Sequence, residues 1–154
     1  MKQQSRYELF RSEHGASLVE MAILLPLFVL LLLVAVDAGR AFYLAIEVAG
    51  AARSAAIYGS WNPTDTTGMQ TAAQDDAPDV PNLSVGTPSY GCECPDGTSY
   101  SASCTTGLPT CSDGSAVYRV NVTVTGTYSP IIPWPGIPSS ISLSSSASMR
   151  SPGS

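Results

Sequence analysis

The chain has 154 residues, of which only 12% are charged, and its net charge at neutral pH is −5. That length suits one compact domain with an added segment rather than two full domains. The charged fraction is well below the ~25% of an ordinary soluble domain, which fits a chain partly in lipid or tightly assembled. The acidic balance excludes a nucleic-acid surface, which needs concentrated basic charge.

Residues 1–15 carry Lys2, Arg6 and Arg11 against Glu8 and Glu13, whereas the remainder sets four arginines against ten carboxylates. Basic charge beside an apolar span stays cytoplasmic, so Met1 to Gly15 reads as a cytoplasmic leader and the acidic remainder as exported. From Ala16 to Val36 the only charged residue is Glu20. As a helix this stretch extends about 31 Å, enough to cross the hydrocarbon of a bilayer. Pro26 lies within it and is tolerable there at the cost of a bend, because neighbouring groups re-satisfy the freed carbonyl.

Glu20 is the odd residue. A carboxylate in hydrocarbon costs about 3 kcal/mol, so either it is solvated near the polar leader or it has a partner. A cut after Gly15 would create one, the α-amino group of Ala16, about one helical turn away. In low dielectric the two charges attract, within one chain or between neighbours, and offset each other's burial. A secretory signal peptide ending at Val36-Asp37-Ala38 is the rival reading. The unbroken apolar run Met21–Val36 is 16 residues long, above the roughly 7–15 of a signal core, and Glu20 beside it would be unexplained.

Three stretches, Gly15-Ala16-Ser17-Leu18-Val19-Glu20, Leu24-Leu25-Pro26-Leu27 with Phe28 following, and Asp37-Ala38-Gly39-Arg40-Ala41-Phe42, resemble the TadE-like family. Its members are prepilin-class minor pilins, or pseudopilins, of the tight-adherence (Tad/Flp) type IVc pilus system. The resemblance covers Gly15 to about Gly59 closely and Ser142 to Arg150 loosely. It implies that a prepilin peptidase cuts between Gly15 and Ala16 and that Glu20 is the fifth residue of the mature chain. It further implies that the protein sits in the bacterial inner membrane, or in an extracellular filament after assembly, with other pilin or pseudopilin subunits as partners. The middle of the chain carries no motif of the family.

From Asp37 to Ser60 helical character persists, with Ala dominant and no proline before Pro63. Phe42, Ala45, Val48, Ala49, Ala52, Ala55 and Ala56 fall at helical spacing and predict one stripe of mostly small apolar residues. Such a stripe packs on the protein's own domain or lets neighbouring helices approach closely. Gly59, Asn62 and Pro63 are expected to end the helix, Gly59 as a left-handed cap. Residues 65–77 carry a weaker helical signal, with Asp65 or Thr66 as cap, Thr67 and Gln70 as a capping box, and Met69, Ala72 and Ala73 on one face. Asp75, Asp76 and Asp79 lack the alternating ligand spacing of a calcium loop and read as solvated surface.

Beyond Pro81 the pattern changes to period two. Leu83 and Val85 form a short strand; Tyr118, Val120, Val122 and Val124 alternate with polar residues up to Gly126; and Ile141, Leu143, Ala147 and Met149 alternate with serines and Arg150. The expected fold is α+β. A long N-terminal helix spans a membrane with its first half, and a three-stranded antiparallel sheet packs on its second half. The domain boundaries expected are 1–15, 16–36, 37–60 and 61–154.

Two loops interrupt the strands. Pro88 to Gly114 holds Cys92, Cys94, Cys104 and Cys111, and an even number of cysteines in an exported segment implies two disulfides. Cys92 and Cys94 are too close to pair easily, so bridges run from them to Cys104 and Cys111, in either connectivity. The spacing lacks the paired knuckles of zinc sites and any C-x-x-C redox motif, so no metal or cofactor is expected. Tyr128 to Ser139 contains Ile131, Ile132, Trp134 and Ile137 among four prolines. It either folds Trp134 over a small core or presents an apolar contact tip.

No enzyme emerges from these residues. His14 is the only histidine and lies in the leader, and there is no phosphate-binding glycine loop. The function that the resemblance implies is a membrane-anchored subunit that assembles into, primes or supports a pilus. An uncleaved bitopic protein with a partner-binding head and a secreted structural protein are the alternatives.

Overall fold

The structure, a computed structural model, describes residues 14–112, 114–133 and 135–151, with His14 and Ala16 described by backbone alone. Leader residues 1–13 and Trp134 lie outside the described residues. The chain divides into two compact units, Met1–Gly39 and Arg40–Ser154.

In the first unit the described chain is helix throughout, the opening part of α1 (His14–Trp61), with Pro26 inside it. Leucine and alanine give this segment strong helical propensity. Fifteen large apolar side chains from Leu18 to Val36 are exposed. Asp37, at the end of this unit, is buried.

The second unit begins on the same helix. Its buried face is Val48, Ala51, Ala52, Ala55 and Ala56, followed by Gly59. Val48, Ala52, Ala55 and Ala56 of the expected stripe are in it, whereas Phe42 is 72% exposed and Ala45 and Ala49 also face outward. Spacing alone identified a set of small residues but not which arc of it meets the sheet. Gly59 is no cap either. The helix runs on to Trp61, and a Cβ at Gly59 would stand 2.8 Å from Cε and Sδ of Met69 and 3.1 Å from Val120. Close packing, not chain reversal, requires the glycine.

Helix α2 (Thr66–Asp76) opens on Asp65, whose Oδ1 accepts a hydrogen bond from the Gly68 N–H at 2.9 Å. That bond and the Tyr58 hydroxyl, which donates to Oδ2 at 2.7 Å, hold the Asp65 carboxyl below its ordinary pKa. Met69 and Ala73 turn inward. The expected capping box at Thr67 and Gln70 is replaced by this single aspartate cap.

Five strands form the antiparallel sheet, not three: β1 (Ser84–Val85), β2 (Ser89–Glu93), β3 (Tyr100–Ser101), β4 (Val117–Tyr128) and β5 (Ile141–Arg150). Strand β4 is central. It pairs with β5 along residues 119–128, and on its other side with β2 (Gly91 opposite Arg119) and β1 (Val85 opposite Val124). Strand β3 extends the sheet beyond β2. Val120, Val122 and Val124 are fully buried against α1 and α2, and with Met69, Ala77 and Val80 they complete one core. Gly126 does not end β4. It admits Val80 and Val48 where a Cβ would meet them at 2.5 and 3.0 Å.

The two extra strands lie inside the expected cysteine loop. Residues 89–93 lack alternating hydrophobicity, and only two residues of β3 pair. A turn joins them: the Gly97 N–H donates to the Cys94 carbonyl at 2.8 Å, with Gly97 at φ 77° and the Asp96 side chain accepting from Thr98. Cys94-Pro95-Asp96-Gly97 is a turn sequence by its chemistry, and it was the legible sign of the hairpin.

Met69→Ala should destabilise the protein by about 2–4 kcal/mol through the cavity it leaves. Gly59→Ala alone should cost about 1 kcal/mol from overpacking. In the Met69→Ala background the same change should cost less, because the Met69 clash is gone and only the 3.1 Å approach to Val120 remains against alanine's helix preference. Chemical denaturation of all four proteins gives the coupling; additive effects would contradict the packing described.

Candidate functional site: the exposed helix surface and the stapled sheet

Gly15 and Glu20 are exposed positions in the first turns of α1, which already includes the Gly15–Ala16 junction. Leu24, Leu25, Leu27 and Phe28, around Pro26, are exposed as well. Among the described residues nothing covers this surface. Leaving so many large side chains in water would cost on the order of tens of kcal/mol at roughly 1.5–3 kcal/mol each. The helix is long and apolar enough to cross a membrane.

The second unit has its own apolar exposure. Phe42, Ile46, Ala49, Arg53 and Ile57 recur every third or fourth residue on α1, with Trp61 at its end 71% exposed. Ile46, Ala49, Gly50 and Arg53 form one wall of a groove of about 510 Å³ whose other wall is Ser145–Met149 of β5.

All four cysteines are bridged. Cys92 joins Cys104 and Cys94 joins Cys111, with Cα atoms 5.3 and 5.4 Å apart. Both closures tie the 95–111 segment to β2, and each contributes roughly 3 kcal/mol by restricting the unfolded chain.

Between Cys92 of β2 and Cys94, which follows the strand, lies Glu93, a residue that sequence reasoning passed over. Its side chain is 3% exposed and accepts from Arg119 Nη1 at 2.8 Å and from Arg150 Nε. Arg119 Nε also donates to Ser148 Oγ, and Arg150 Nη1 to the Pro95 carbonyl. One carboxylate thus clasps β2, β4 and β5. Burial pushes the Glu93 carboxyl up, but the hydrogen bonds and charges of the two arginines outweigh it and hold the group below the ordinary glutamate range. The only sequence signal was compositional: half of the arginines outside the leader, Arg119 and Arg150, belong to the sheet strands.

Ile131 and Ile137 of the proline-rich loop are exposed and Ile132 is half-buried. The expected role of Trp134 lies outside the described residues. Asp75, Asp76 and Asp79 are exposed. Among the described residues no three metal-ligating side chains gather.

Glu93→Gln should destabilise the oxidised protein by about 1–3 kcal/mol, less than a fully buried pair because both arginines reach water. The clasp also sets an acid limb. With a folded pKa below the unfolded value of about 4.3, its stabilisation is full above that value and is lost as pH falls through the folded pKa. Denaturation midpoints measured between neutral and acid pH should fall less steeply in Glu93→Gln than in the wild type.

No curated protein and no solved structure matches the chain. A family model described as TadE-like protein matches residues 15–56. That range holds Gly15, Glu20, Pro26 and the whole exposed apolar surface from Leu18 to Val36, and it stops short of the sheet. Across residues 15–56, then, the chain is similar to the TadE-like family.

Proposed function

We propose that this protein is a minor pilin- or pseudopilin-like subunit that assembles into, primes or supports a Tad/Flp-type pilus. The observation that carries the reading is the exposed apolar helix surface from Leu18 to Val36, lying inside the TadE-like match. Residues 1–15 are the leader, residues 16–36 hold the chain in the inner membrane, and residues 61–154 are the exported head. The work is structural rather than enzymatic. The two disulfides support an oxidising compartment for the head.

The mechanism follows from solvation. A helix leaves lipid without a prohibitive cost only if other apolar helices receive it. Glu20 sets the register of that exchange, because its carboxylate is costly in an apolar setting unless it meets the amine of a cleaved Ala16. The exposed Phe42, Ile46, Ile57 and Trp61 extend the contact surface beyond the lipid-spanning length.

The N-terminal sequence and intact mass of protein from its native host test the processing. Ala16 should be the first residue, with the non-reduced mass lower by two hydrogens for each of the two disulfides. An N-terminus at Met1 would mean an uncleaved bitopic protein, and one near Gly39 a secreted protein. Glu20→Ala should leave membrane insertion intact and lower incorporation into sheared fibres roughly tenfold, equal to about 1.4 kcal/mol. Unchanged incorporation would remove the register role.

A further inference from the structure

The face of the sheet turned away from the core carries a cluster of polar side chains beside one aromatic ring. Ser89 of β2, Arg119 and Asn121 of β4, Ser146 and Ser148 of β5, and Tyr100 of β3 line a depression of about 390 Å³. The strand register brings them together: Ser89 faces Asn121 across one ladder and Ser148 faces it across the other. Tyr100 is laid over the sheet by a glycine. A Cβ at Gly91 would stand 2.5 Å from the Tyr100 Oη and 2.7 Å from its Cζ, so the ring occupies the space where a side chain would rise. The residue is nevertheless 57% exposed.

We infer that this depression binds a neutral carbohydrate. The lining presents hydroxyls and a carboxamide, which both donate and accept, and a guanidinium, which donates, beside an aromatic ring; it holds no aliphatic side chain. Among the described residues the side chains of Ser89, Asn121 and Ser146 make no hydrogen bond, so their capacity is available to a ligand. Arg119 already donates to Glu93 and to Ser148 Oγ, so its charge is partly compensated and fewer of its N–H groups are left to grip an anion such as phosphate or a uronic acid. An apolar peptide would strand these polar groups without partners. A polyhydroxylated ring satisfies them in its plane while its C–H face lies on Tyr100. The volume suits one or two sugar units, and so open a site binds weakly, with Kd of roughly 0.1–10 mM. The inference concerns the sheet alone and does not depend on the assembly role of the helix.

The full chain in detergent micelles would be titrated by calorimetry and saturation-transfer NMR with cellotetraose, maltotetraose and chitotetraose, and with tetragalacturonate as the acidic counterpart. At least one neutral oligosaccharide should bind, with tetragalacturonate no tighter. Tyr100→Ala and Asn121→Ala should each weaken binding about fivefold or more, one or two hydrogen bonds or one stacking contact. Tyr100→Phe, which keeps the ring, should retain most of it, and Thr71→Ala on α2 should change nothing. Unchanged thermal unfolding of Asn121→Ala, a wet-face substitution, separates lost binding from lost fold. Absence of binding to all three neutral sugars would overturn the inference. So would binding indifferent to Tyr100 and Asn121, or markedly tighter binding of tetragalacturonate.

Discussion

The second unit depends on how closely a helix can approach a sheet. Ala51, Ala52, Ala55, Ala56 and Gly59 give α1 a face with almost no side-chain relief, and Val120, Val122 and Val124 of β4 are buried in the same core. Close packing recovers dispersion that a looser contact would forfeit, since attraction falls steeply with a gap of even half an ångström. Met69 and Val80 fill the space that remains, against Gly59 and Gly126 respectively. A flat helix face therefore dictates small residues at every one of these places.

That same economy leaves the rest of the sheet short of core. Strands β2 and β3 contribute little buried aliphatic surface, and they hold position by other means. Two disulfides and the Glu93 clasp supply constraints that a larger domain would obtain from packing. The clasp works because the carboxylate is buried while both arginines keep part of their charge in water, which lowers the desolvation cost that burdens a fully buried pair.

The outward surfaces divide by chemistry. On α1 the exposed residues are apolar well beyond the length needed to span hydrocarbon, a pattern suited to contact with like helices. On the sheet they are hydroxyl, amide and guanidinium, with the end of one tyrosine ring close above a glycine. One set of surfaces is apolar, and the other is built of groups that hydrogen-bond.

Much of this was legible in the residues alone, because the relevant physics is local. The apolar length of 16–36, the isolated Glu20, the alternation of β4 and β5, and the even number of cysteines each express a solvation or periodicity rule that needs no partner. The tertiary structure decided what depends on contact between distant segments. From the expected stripe it kept Val48, Ala52, Ala55 and Ala56, added Ala51 and left Phe42, Ala45 and Ala49 outside, because only the docked sheet selects which arc of an apolar helix face is buried. It made Gly59 and Gly126 packing residues rather than terminators, since neighbours 10 and 46 residues away in sequence occupy the space beside them. It also built β2 and β3 where no alternation announces them. A strand stabilised by disulfides and by an ion cluster takes its stability from residues elsewhere in the chain, so its own sequence does not need to carry the pattern.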